Sequence, residues 1–116
     1  MTVLHVAVIV GLTLVWPFPN ANAVGIEGPG ARSCEYFIQN VKSEPATEEH
    51  YFTWAQGYMS GLNVARLNDE RGAFQSMPME LQRAHIRTFC DANPTKQYVY
   101  AVIDLYITLY PKEATK

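Results

Sequence analysis

Residues 98–110 read YVYAVIDLYITLY, and whether they coil or extend decides the fold class. Their β-branched and aromatic composition is that of a strand. Two features favour a helix instead. Thirteen residues is long for a strand, and the mature chain holds no second run of similar composition to pair with it. As a helix, the segment sets Val99, Val102, Ile103, Tyr106, Leu109 and Tyr110 on one side. Asn93 as a cap and Pro94 at the first helical position are expected to begin it.

Working back from that helix, Pro78 suits the first turn of a third helix carrying Met79, Ile86, Phe89 and Cys90 on its apolar face. The polar, glycine-bearing stretch 68–76 (NDERGAFQS) reads as a loop. A second helix begins at Thr47, the expected cap, with Glu48 and Glu49 in its first turn where the macrodipole favours carboxylates. Tyr51, Trp54, Ala55, Tyr58, Leu62 and Ala65 form its apolar face. The first helix is capped by Ser33, carries Cys34, Phe37, Ile38 and Val41 at helical spacing, and is stopped by Pro45. Four helices joined by short loops make a small all-α bundle.

The second helix includes WAQGYMSGLN at 54–63, with glycines four residues apart. Each costs about 1 kcal/mol in a helix interior relative to alanine. Gly57, Gly61 and Ala65 fall on one line beside Trp54 and Tyr58. The expectation is a shallow groove into which a neighbouring helix packs closely, or which serves as an interface for a partner chain or ligand.

The amino terminus differs in kind. Residues 6–16 (VAVIVGLTLVW) are almost wholly apolar and are followed by PFPNANA, a small-residue cleavage pattern ending at Ala23. This reads as a signal peptide over 1–23, too short to span a bilayer that needs ~20 apolar residues. Residues 24–32 then form an expected flexible arm, rich in glycine around Pro29. The helical domain covers 33–111 and a short tail 112–116. A domain of this size has a marginal core, so a staple matters. Cys34 and Cys90, the chain's two cysteines, read as a disulfide in an exported protein. Without C-x-x-C spacing they do not read as a redox pair.

The charge balance and motifs exclude most chemistry. A net charge of −2 with no clustered basic surface argues against nucleic acid. His50 follows two glutamates but lacks the second histidine of a zinc-binding helix, so no metal site is expected. Ser60 lies in no nucleophile or phosphate-loop pattern, and no cofactor motif occurs. Nothing assembles nucleophile, base and stabiliser, so no enzyme is expected. His50 and His85 are candidate pH-sensing groups. Asp104, alone in the apolar last helix, is a third; it is expected to face solvent, or to need a partner if buried.

Three patterns carry a family resemblance: Cys34-Glu35-Tyr36-Phe37, Gly57-Tyr58-Met59-Ser60-Gly61-Leu62-Asn63, and Cys90 followed four residues later by Pro94. Together they resemble the HdeA/HdeB family of small bacterial periplasmic acid-stress chaperones over about residues 33–110. The resemblance implies a four-helix fold with a Cys34–Cys90 bridge. It further implies a homodimer that loosens in acid and binds unfolded periplasmic clients, with no membrane span after leader cleavage. This chain departs from that family in an unusually aromatic composition, little lysine and an apolar last helix. Below about pH 3 its charge would rise to about +12 once the leader is removed, enough self-repulsion to loosen a dimer. The competing expectations are a periplasmic immunity-type protein that binds one folded partner, and an envelope protein with no role in acid.

Overall fold

The computed structural model describes residues 25–66 and 74–112. The expected leader, most of the 68–76 loop and the end of the expected tail lie outside the described residues. Within them are four α-helices: α1 (Cys34–Ser43), α2 (Thr47–Ala65), α3 (Met79–Ala92) and α4 (Tyr98–Leu109). A short 3₁₀ turn over Gly28–Ala31, here called the strap, precedes them. The chain is a small all-α bundle with one disulfide, as its periodicity predicts.

Helix α4 is the central element. Tyr98, Val99, Ala101, Val102, Leu105, Tyr106 and Leu109 are all buried, so packing of a wide face overrides the strand-like composition. It begins at Tyr98 rather than at Pro94, and the reason is an accounting of backbone donors. The first N–H groups of α1 have no partner inside their own helix. Cys34 N–H donates to Lys96 O at 2.7 Å and Glu35 N–H to Pro94 O at 2.9 Å. Tyr36 N–H donates to the Ser33 side chain at 3.1 Å, the expected cap. Residues 93–96 form a turn, closed by Lys96 N–H donating to Asn93 O at 3.1 Å, that presents those carbonyls; Gln97 bridges Ser33, and Tyr98 N–H returns a bond to Arg32 O at 2.8 Å. Asn93 consequently ends α3 instead of starting α4, its side-chain amide donating to Phe89 O.

Smaller shifts have similar causes. Thr47 is the first residue of α2, not its cap; Ala46 holds the cap position and offers no side-chain bond. Thr47 and Glu48 instead donate to the carbonyls of Glu44 and Pro45. Pro78 precedes α3 by one residue, its carbonyl accepting from Leu81 and Gln82. Met79 is exposed, and Gln82 takes the buried place by donating to Met77 O at 2.8 Å.

The core is built around three rings. Phe37 of α1, Tyr51 of α2 and Tyr98 of α4 lie 4.8–4.9 Å apart, centroid to centroid, all tilted or edge-on, the geometry that ring quadrupoles favour. Cys34 and Cys90 are bonded, both almost fully buried, and join the start of α1 to the end of α3. Closing 56 positions of chain stabilises the fold by about 4 kcal/mol in the chain-entropy account.

Two placements differ from expectation: the helix-packing alternative for the α2 glycines, and the flexible arm. Helix α2 buries Tyr51, Phe52, Ala55 and Met59, a stripe rotated away from Gly57, Gly61 and Ala65, all three of which are exposed. A Cβ added at either glycine meets nothing within 4 Å among the described residues, so no described helix packs closely there. The strap, expected within a flexible arm, is docked. Gly30 is buried, and a Cβ there would lie 2.0 Å from the Trp54 ring. The close approach that two glycines suggested on α2 therefore occurs at a different glycine.

Two measurements test this description. Gly57→Ala and Gly61→Ala each raise the unfolding free energy by about 1 kcal/mol, while Gly30→Ala lowers it by about 2 kcal/mol through overpacking; urea melts that reverse either sign contradict the packing described. The Tyr98 hydroxyl is held well above the ordinary value of 10.0, first by burial and then by Glu48 and Tyr51; Tyr51 shifts the same way, chiefly by burial. Both protons are lost more readily from the unfolded chain. Their stabilisation is complete below about pH 10 and is lost as pH rises towards the folded values. Unfolding free energy measured from about pH 9 to 11.5 falls, and Tyr98→Phe flattens that slope; an equal slope in the variant contradicts the assignment.

Candidate functional site

Trp54 and Tyr58 are one turn apart on α2, so their rings meet: the centroids lie 5.3 Å apart and the planes 15° from parallel. Trp54 also meets Tyr98 edge-on at 6.2 Å. The strap lies against the Trp54 indole. Gly28, at φ +69°, turns the chain onto the indole, and Gly30 lets the backbone approach the far edge of the ring. Trp54 and Tyr58 are partly buried and pack on the core. An aromatic patch is thus present on α2, and the strap covers part of it.

The charges of α2 and α3 interlock beside that patch. Glu48 accepts from Arg87 and Glu49 from Arg83, each at 2.5 Å. Glu80 approaches both arginines at 3.9 Å. The Arg83 guanidinium also lies 4.3 Å from the centroid of the Phe52 ring, a cation–π contact. The sequence reading assigned Glu48 and Glu49 only to the helix dipole. Arg83 and Arg87, four apart on α3, were the available signal, but their register against α2 has no trace in either helix alone.

Of the candidate pH-sensing groups, two come together. His85 Nε2 lies 2.7 Å from Asp104 Oδ2, joining α3 to α4, with the Asp104 side chain half exposed. Thr108 donates to the Asp104 carbonyl. His50 stands apart at the start of α2, edge-on to Tyr51. At the opposite end of α2, Asn63 donates to the Tyr110 hydroxyl and accepts from Tyr106, at 3.0 and 2.9 Å. This polar clasp ties the two helix ends. No group of three or more metal-ligating side chains occurs among the described residues, and no described helix is long and apolar enough to cross a membrane.

Comparison with protein-family models, curated proteins and solved structures returns no match. The functional reading therefore rests on this geometry and on the resemblance given above.

The Glu48–Arg87 pair is testable directly. A double-mutant cycle with Glu48→Gln and Arg87→Gln is expected to give a coupling of about 1 kcal/mol at pH 7, vanishing at pH 2 as the carboxylate is neutralised; a coupling indifferent to pH contradicts an ionic tie between α2 and α3.

Proposed function

We propose that this chain is an exported, HdeA-like acid-stress holdase, a non-enzymatic periplasmic protein that is a homodimer at neutral pH and binds unfolded clients in acid. The supporting observation is how differently the helices are tied. Helices α1 and α3 are joined covalently through Cys34–Cys90, which no acid breaks. Helix α2 lies outside that bond, and its first turn is held to α3 by Glu48–Arg87 and Glu49–Arg83.

At about pH 2 to 3, below the ordinary carboxylate range, carboxylates in general lose their charge while guanidinium groups keep theirs. The ties then vanish and two like charges face one another across one helical turn. Helix α2, which carries Phe52, Trp54 and Tyr58, is the element this chemistry loosens first. Its exposed aromatic face would supply the apolar surface that a holdase offers to clients. The disulfide limits the opening and favours refolding on neutralisation.

A second reading, a protein that holds one folded partner at neutral pH, is favoured by the exposure of Leu81 on α3 and of Tyr100 and Ile107 on α4. The two readings separate in a client-aggregation assay. The holdase reading expects the oxidised protein to suppress aggregation of unrelated acid-unfolded proteins at pH 2 to 3, and Trp54→Ala to weaken that suppression several-fold. Equal aggregation with and without the protein contradicts it.

A further inference from the structure

The strap has a second side. Together with the start of α1 and the first turns of α2 it walls an open cleft of about 530 Å³, within the range of ligand sites. Arg32, Tyr36, Asn40, Thr47, His50 and Tyr51 line it. Its electrostatics set it apart from the rest of a chain with net charge −2. Among the described residues that line it, Arg32 and His50 are the only ionisable side chains other than tyrosines, and none is a carboxylate. By contrast, a smaller groove beside the disulfide is lined by Glu35 and Asp91 as well as Lys42. Another, at the far end of α2, has no charged residue in its lining.

The cationic group is also positioned. The Arg32 guanidinium sits 5.1 Å from the Tyr36 ring centroid, and its backbone carbonyl is fixed by Tyr98 N–H. Stacking on a ring restricts the guanidinium plane, which helps a fork of N–H donors meet a carboxylate side by side. Tyr51, 4 % exposed, is on the cleft wall and close enough to feel the Arg32 charge. Thr47 adds a hydroxyl group. Beside the polar Asn40 side chain, the Tyr36 ring, Pro29 and Ala31 give the cleft an apolar side. An inorganic anion would use the charge and leave those walls wet.

We infer that this cleft binds an organic carboxylate on a flat or apolar body, with Arg32 holding the carboxylate and Tyr36 and the strap receiving the body. The inference stands apart from the holdase reading, because it concerns the folded protein at neutral pH. Two sources present this chemistry: a free aryl acid and the carboxy-terminal residue of a peptide.

The test is an NMR titration of the full chain at pH 7. The probes are benzoate, an N-acetylated tripeptide ending in phenylalanine with a free carboxylate, and the same peptide as its carboxamide. Saturable shifts at Arg32, His50 and Tyr51, with a dissociation constant on the order of 1 mM or tighter, are expected for at least one acid. Benzoate alone identifies the free acid as the source, and the peptide acid alone identifies a chain terminus. The carboxamide is expected to bind at least tenfold more weakly. Arg32→Gln costs the acids at least tenfold while leaving the amide spectrum otherwise folded, and Arg32→Lys recovers part of that loss. Tyr51→Phe, which keeps the core ring, weakens binding by a few-fold. Overturning results are a carboxamide that binds within twofold of the acid, affinity unchanged in Arg32→Gln, shifts outside the cleft only, or no saturable shift with any probe.

Discussion

Tyr98 is the point at which backbone and core meet. Its N–H donates to Arg32 O, locking the segment after the strap against the linker that leads into α4. Its ring closes the triangle with Phe37 and Tyr51 and touches Trp54 edge-on. One residue thereby couples the strap, α1, α2 and α4. The isolated Ser33–Gln97 bridge and the backbone bonds flanking it satisfy donors at the starts of α1 and α4, groups that would otherwise require water or costly desolvation. The disulfide lies immediately beyond this pairing, joining Cys34 to the end of α3. In a domain with so small a core, these local ties matter in proportion.

Helical periodicity made the fold legible, because each apolar stripe repeats over two or more turns and the two cysteines admit only one intramolecular pairing. Ser33 was legible as a cap for the same reason: the signal is local. What periodicity could not reveal is which of two adjacent stripes on α2 faces inward. Trp54, Tyr58 and Leu62 fit a helical face as well as Tyr51, Ala55 and Met59 do, and the structure buries the second set more deeply. The misreading is confined to the line of Gly57, Gly61 and Ala65, which is exposed, since Trp54, Tyr58 and Leu62 do pack on the core. The start of α4 was misplaced because Asn-Pro is a sound local signal, outweighed by the need of α1 for the carbonyls of Pro94 and Lys96.

The candidate site was less legible, since its contacts join residues far apart in the chain. Nothing in VGIEGPGA at 24–31 announces an indole against Gly30, and glycine-rich composition alone suggests mobility. The Glu48–Arg87, Glu49–Arg83 and His85–Asp104 pairs each depend on the register between two helices, which is fixed by side-chain packing rather than by either helix's own pattern. Asp104 shows the limit well: it was expected to be a solvent-facing residue, and it is half exposed yet paired.

In the proposed mechanism α2 is the helix whose first turn is held by ion pairs and whose Trp54 ring the strap partly covers. Collisional quenching of Trp54 from pH 7 to pH 2, in the oxidised chain carrying Trp16→Phe so that Trp54 is the sole indole, tests that claim most directly. The account predicts that quenching rises several-fold at about pH 2 to 3 while helical circular dichroism is largely retained, and that both return on neutralisation. A Trp54 that stays equally protected down to pH 2, or that becomes accessible only as the helices melt, would contradict it.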